Sequence, residues 1–275
     1  MNLKEIAKAN AKLKKNHSIL IYGPPKVGKT RLVGTAAKIP EIKRIFWFDL
    51  ENGIETLLHM GLKDEELEKI TVFSIPDTKN NPVGIETMLK AFSSKEVSIC
   101  HEHGKVDCKD PECKDSESKT KFSLPACTHN DLVVIDSGSQ LGDSSLAAVC
   151  LGKPEMFKPG WDEYGISGKW LSDILSTIQQ AKHTNFIVIT HELTTEGEDG
   201  KERIYPLMGS KSFSTKVGKY FGTVAYCGIK LNKHVAGSSS TYRSDTITGS
   251  RVGALLEKAT NGPDMKQILI DGGIL

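Results

Sequence analysis

An α/β fold built on a mostly parallel sheet is what this sequence predicts, and three observations carry the expectation. Short apolar runs alternate with helix-compatible segments along the chain. The first run leads directly into a glycine-rich turn and then a helix-compatible stretch. Two later apolar runs end in an aspartate and a histidine, as strands do when their tips carry chemistry. The 275 residues suffice for one large domain, with the stretch 95–130 read as an insertion into a single domain spanning 1–275.

The elements follow in order. Strands are expected over 18–22, 44–50, 70–75, 132–135, 186–190 and 224–231, each a run of Val, Ile, Leu and aromatic residues. Helices are expected over 30–38, 54–60, 84–92, 168–183 and 214–220. The first strand runs into Ile19-Leu-Ile-Tyr-Gly-Pro-Pro-Lys-Val-Gly-Lys-Thr30, a G-x-x-x-x-G-K-T loop. Gly23 and Gly28 let the backbone fold tightly enough to aim successive N–H groups at phosphate oxygens. Lys29 would reach the β- and γ-phosphates, and the Thr30 hydroxyl would ligate Mg²⁺. Pro24, Pro25, Lys26 and Val27 complete the cradle, and Arg31 opens the helix whose N-terminus faces the anion.

Composition narrows the field. A charged fraction of 25% and a net charge of +2 describe a globular chain without a bulk electrostatic claim on nucleic acid. No apolar run approaches the roughly 18 residues of a membrane span. The basic N-terminal stretch lacks the apolar core of a signal peptide and reads as a short helix with Leu3, Ile6 and Leu13 on one face. A cytoplasmic, reducing setting is therefore expected, in which the six cysteines stay unpaired.

Three strand tips follow the cradle. Asp131-Leu-Val-Val-Ile-Asp136 ends in an acid suited to orienting the Mg²⁺ shell. Ile45-Phe-Trp-Phe-Asp49-Leu-Glu51 ends in two acids expected on the same side of an extended strand, and Glu51, further out, is the candidate general base. Phe186-Ile-Val-Ile-Thr-His191 places an imidazole where it would sense the γ-phosphate.

The insertion has a different chemistry. Residues 100–129 hold seven of the fourteen Cys and His residues, against about 1.5 expected from uniform placement. Cys100-x2-His103-x4-Cys108-x4-Cys113 has the spacing of a zinc knuckle with permuted ligand types. Cys127 and His129 are alternate ligands; a redox-active cluster and free thiols in a loose loop are the competing readings. Cys150 and Cys227 read as isolated buried residues.

Taken together, these motifs resemble the RecA-like P-loop NTPase core, and within it the phage RecA-like ATPases that act as single-strand annealing proteins. The similarity rests on I-Y-G-P-P-K-V-G-K-T-R-L, F-D-L-E, V-V-I-D-S-G-S-Q-L, W-D-E-Y-G, I-V-I-T-H-E and the later P-L-M-G-S-K. It spans nearly the whole chain except the insertion, and the cradle motif is its most specific part. The resemblance implies an ATPase with Glu51 as catalytic glutamate, Asp136 as Walker B acid and His191 as sensor. His191 departs from the glutamine common in bacterial RecA. It further implies single-stranded DNA contacts from loops at 138–159 and 194–212, with Lys201, Arg203 and Lys211 as the basic candidates. A homo-oligomer, ring or filament, and a single-strand-binding protein are the implied partners. Arg251 is either an arginine finger across a subunit boundary or an ordinary surface residue. Two other classes remain open: a nucleotide-gated DNA scaffold with negligible turnover, and a P-loop small-molecule kinase.

Overall fold

The structure is a computed structural model that describes residues 17–113, 116–197, 199–231, 233–237, 245–251 and 264–271. The expected N-terminal helix with Leu3, Ile6 and Leu13 lies outside them.

β1 (Ser18–Tyr22) enters the glycine-rich loop and then α1 (Lys29–Gly34), which tightens into a 3₁₀ turn at Thr35–Lys38. β2 (Arg44–Asp49) and β3 (Ile70–Ser74) follow, with one-turn helices at Glu55–Leu58 and Asp64–Leu67 between them. Next come α2 (Val83–Ser93), the hairpin of β4 (Val97–Cys100) and β5 (Lys119–Phe122), and β6 (Asp131–Asp136). Two long helices, α3 (Gly138–Cys150) and α4 (Trp161–Gln180), precede β7 (Asn185–Thr190). The hairpin of β8 (Glu192–Glu196) and β9 (Glu202–Pro206) grows from the tip of β7. Short turns at Lys211–Ser214 and Val217–Tyr220 lead to β10 (Thr223–Lys230), β11 (Lys233–Gly237), β12 (Gly249–Ser250) and α5 (Met265–Asp271).

The sheet runs β11-β10-β1-β7-β6-β2-β3, with β12 paired to β10. The six strands from β10 to β3 are parallel, as the strand–helix alternation predicts. A strand points alternate side chains to opposite faces. Leu20 and Tyr22 therefore join the core under α2, α3 and α4, while Ile19 and Ile21 join the one beneath α1 and α5.

Several expectations are corrected. Residues 138–159 are not a loop throughout: α3 occupies most of the stretch, capped by the Ser137 hydroxyl accepting from Gln140 N–H. Its glycines are packing requirements, because a Cβ on Gly138 would stand 2.3 Å from Met208 Cε and one on Gly142 2.2 Å from Gly209 N. Residues 194–212 contain most of the β8–β9 hairpin. α4 begins at Trp161 rather than at 168, where Glu163 returns a carboxylate to the Gly160 N–H. The helix expected at 214–220 breaks into the two turns around it. The 95–130 stretch packs into the main core through its hairpin, where Val97, Ile99 and Phe122 are buried. Cys150 is only partly buried, whereas Cys227 is fully enclosed.

Candidate functional site

Register brings the predicted strand tips together. Tyr22 pairs with Thr190, Asp136 with Ile189, and Asp49 with Asp136, so the residues just beyond each pair share one edge of the sheet. The glycine-rich loop occupies that edge with positive φ at Gly23 (154°), Lys26 (63°) and Gly28 (90°). Gly23 is required twice over: besides its φ, a Cβ there would stand 2.1 Å from the Cys227 carbonyl oxygen. Pro25, Lys26 and Arg31 are exposed, Pro24 is half-buried and Val27 is buried.

Lys29 is buried and its ammonium folds back into the loop, donating to the Gly23 and Pro24 carbonyls at 2.9 and 2.7 Å. Burial pulls its pKa down, against the opposing pull of Cys227, Asp136 and Glu51. Thr30 Oγ1 donates to Asp136 Oδ2 at 2.9 Å. Burial pushes Asp136 up to about 7; the Thr30 hydrogen bond resists this, while nearby Glu51 and Asp49 add to it.

Glu51 sits past the end of β2, so it does not share a strand face with Asp49. The chain bends after Asp49, whose carboxylate turns back to accept the N–H groups of Gly53 and Ile54 at 2.9 and 3.2 Å and that of Glu51 at 3.3 Å. Asp49 thus shapes the turn that presents Glu51. Glu51 Oε1 accepts from the Ser137 hydroxyl and lies 3.3 Å from His191 Nε2. Burial raises the Glu51 pKa, but the His191 and Ser137 hydrogen bonds outweigh it and hold the carboxyl below its usual range.

His191 is fixed through its backbone. Its N–H donates to Ser139 Oγ at 2.8 Å, and its carbonyl accepts from Leu207 N–H at 2.9 Å. Ser139 Oγ in turn donates to the Leu207 carbonyl at 2.9 Å. Motif reading missed Ser137 and Ser139, although both lie in the quoted V-V-I-D-S-G-S run. It also missed His234 on β11, whose Nδ1 lies 2.8 Å from the Val27 carbonyl. In a trans peptide C=O and N–H point in opposite directions, so this contact with the Val27 carbonyl also fixes the orientation of the Gly28 N–H. Only the β10–β11 pairing reveals this neighbour.

These residues fit a nucleoside triphosphate with its magnesium ion. The cradle has no room for a Cβ at Gly23, and a hydroxyl and a carboxylate converge at its floor. Thr190 Oγ1 and His191 Nδ1 are buried with no partner among the described residues. Asp136 is a buried carboxylate that a divalent cation would stabilise in its charged form.

A family model described as an AAA domain matches residues 15–252. The chain belongs to that family. Comparison with curated proteins gave no match. Among solved structures, the RadB recombinase aligns at 18% identity and a TM-score of 0.41, over 82% of this chain and 81% of its own. A prototypical ATPase from the type III secretion system of pathogenic bacteria aligns at 16% identity and a TM-score of 0.42, over 79% of this chain and 52% of its own. Among the described residues, no helix of this AAA domain is long and apolar enough to cross a membrane.

The insertion gives the AAA domain a second cluster. One ligand atom from each of Cys100, His103, Cys108 and Cys113 lies within 4.8 Å of all the others. His103 Nδ1 stands 3.4 Å from Cys113 Sγ and 3.7 Å from Cys108 Sγ. A tetrahedron with Zn–S of about 2.3 Å and Zn–N of about 2.05 Å has N···S edges of about 3.6 Å, so the donor set fits that metal. Burial and the neighbouring sulfurs push Cys113 up to about 12, whereas the Asp110 N–H draws Cys108 down. The alternate ligands Cys127 and His129 are not in this cluster; Cys127 Sγ donates to the Ser123 carbonyl instead.

The DNA candidates separate. Lys201 and Arg203 lie at the β8–β9 hairpin among Glu192, Glu196, Asp199 and Glu202, and Arg203 pairs with Asp199 at 3.0 Å. Lys211 is exposed at the start of its turn, apart from those acids. Arg251 is exposed and donates to the Lys219 carbonyl at 2.7 Å.

Proposed function

We propose that this AAA domain is a RecA-like ATPase that binds single-stranded DNA and promotes annealing or strand exchange in phage recombination. The observation that carries the ATPase reading is the convergence of Glu51, Asp136 and His191 beside Lys29 and Thr30, from four different strand tips. The Gly23–Thr30 backbone and Lys29 hold the phosphates, with Thr30 and Asp136 at the metal. Magnesium, when bound, draws charge from the β- and γ-phosphate oxygens. Glu51, kept ionised by its partners, takes the proton of the attacking water. His191 hydrogen-bonds the γ-phosphate and passes its loss to Leu207 and the segment beyond.

The DNA reading draws on two adjoining clefts of about 310 and 510 Å³. Lys169, Lys216, Lys219 and Arg251 line them, and among the described residues no carboxylate does. Phosphates would meet these cations, and Lys211 lies beside them in sequence; the acid-rich hairpin carrying Lys201 and Arg203 is the weaker contact. Zinc at Cys100, His103, Cys108 and Cys113 is structural, since four protein ligands leave no open position. A homo-oligomer, a single-strand-binding protein partner and a cytoplasmic setting complete the proposal.

Steady-state phosphate release with and without single-stranded oligonucleotide tests it. Glu51→Gln should lower turnover by 100-fold or more while fluorescent ATP analogue still binds. Parental turnover in that variant would remove Glu51 as the base. Oligonucleotide binding that is indifferent to ATP and ADP would remove the recombination reading.

A further inference from the structure

We infer that the Cys100–His103–Cys108–Cys113 site is a metal-dependent brace for Glu51, an inference that rests on the ATPase reading of that residue. Its metal is a tetrahedral d¹⁰ cation, Zn²⁺, suited to three sulfurs and one imidazole nitrogen.

The brace starts in the turn that carries two of the four ligands. Gly104 N–H donates to the Cys100 carbonyl at 3.0 Å, and Cys100 N–H to the Lys105 carbonyl at 3.1 Å, closing Cys100 to Lys105 into a knuckle. Gly104, next to ligand His103, is driven against the end of β3. A Cβ on it would stand 2.7 Å from both Ile75 Cα and the Ser74 carbonyl oxygen, and its φ is 60°. The Thr87 hydroxyl, buried in α2, clamps it there by donating to the Gly104 carbonyl at 2.7 Å.

Two short routes lead from this contact to Glu51. In the first, Ile75 N–H donates to the Asp49 carbonyl at 2.9 Å, and the Asp49 carboxylate sets the turn containing Glu51. In the second, Asp77 accepts from Gln140 Nε2 at 2.9 Å and from the Ser144 hydroxyl at 2.7 Å. That fixes the first turns of α3, whose capping residue Ser137 holds the Glu51 carboxylate. Neither route passes through the phosphate cradle. Metal binding makes the knuckle rigid, because ligand geometry becomes folding energy. Without metal, the Thr87 clamp and the two backbone hydrogen bonds of the knuckle are left to hold the turn against Ile75.

The predicted signature is therefore a split between kcat and KM. The full-length chain purified from zinc-supplemented medium should carry one zinc per chain and, after cobalt exchange, the charge-transfer absorption of thiolate–Co²⁺. Cys108→Ser should lose the metal and lower kcat tenfold or more, with KM for ATP within twofold. Gly104→Ala and Thr87→Val leave all four ligands in place. They should keep the cobalt spectrum yet lower kcat at least threefold, with Thr87→Ser restoring it. Hydrogen exchange at the amides of residues 50–54 should quicken in Cys108→Ser and Thr87→Val alike. Unchanged exchange there after metal loss overturns the brace, as does a wild-type chain that carries no stoichiometric metal. Should the metal-loaded wild type fail to turn over ATP, the ATPase reading falls. The exchange and cobalt measurements then decide the brace without it.

Discussion

At the residue scale, His17 shows how one buried side chain sets a pH response. The residue is 7% exposed, Nε2 lies 2.7 Å from Thr223 Oγ1, and burial lowers its pKa from 6.5 to about 4. Between those two values the unfolded chain binds a proton that the folded chain refuses. The unfolded state thus holds more protons, and stability must rise with pH across that window. The contribution is complete above about pH 6.5 and is lost as pH falls toward 4, amounting to about 2 kcal/mol between pH 7 and 5. Urea midpoints measured over that range should drop in the parent, with a shallower fall in His17→Gln. Parallel slopes for the two proteins would assign the acid sensitivity elsewhere. His17 has no motif around it and nothing in the sequence marks it. By contrast, Glu51, Asp136 and His191 were legible because apolar runs that end in a polar residue announce strand tips, and parallel strands present those tips along one edge. The partnership of Ser137 with Glu51 was not legible, since it depends on a contact between residues 86 positions apart.

At the scale of elements, α3 is the instructive case. Its Gly-Ser-Gln-Leu-Gly-Asp-Ser-Ser start has the composition of a loop, yet it folds as a helix because tertiary packing overrides weak propensity. The small residues let the Met208–Gly209 segment approach the helix backbone. Gly142→Ala would gain helix propensity but force a Cβ to 2.2 Å from Gly209 N, so it should cost about 1–3 kcal/mol. Gly165→Ala in α4 meets nothing within 4 Å and should stabilise by about 0.5–1 kcal/mol. Thermal melts of the pair check this directly, and equal shifts would show that propensity alone governs both positions. The six parallel strands were readable from their apolar runs to within a residue or two at each end. The β4–β5 and β8–β9 hairpins escaped because their strands are only four or five residues long and mix polar with apolar side chains, leaving no sustained apolar run.

At the scale of the whole molecule, the insertion and the sheet share one core. Phe122 of β5 meets Phe48, Phe46 and Phe73 at ring separations of 5.1, 5.3 and 5.8 Å. Phe48 and Phe73 themselves stack at 4.7 Å. Phe122→Ala should therefore cost about 3–5 kcal/mol, the range for emptying a buried aromatic site. It should lower one cooperative transition without splitting off a second. Two separate transitions by calorimetry would mean that the hairpin melts as its own unit. Counting Cys and His spacings pointed to the four side chains that cluster, Cys100, His103, Cys108 and Cys113, but not to this anchorage, which is carried by Val97, Ile99 and Phe122 on alternate positions of two four-residue strands.

The β8–β9 hairpin begins one residue beyond β7, with His191 alone as the joint. Five residues of extended chain make an arm of about 17 Å. Rocking its root by roughly 6° would swing the far end by roughly 2 Å. If His191 senses phosphate as proposed, an event of that size at the joint would become a movement large enough for a neighbouring macromolecule to feel.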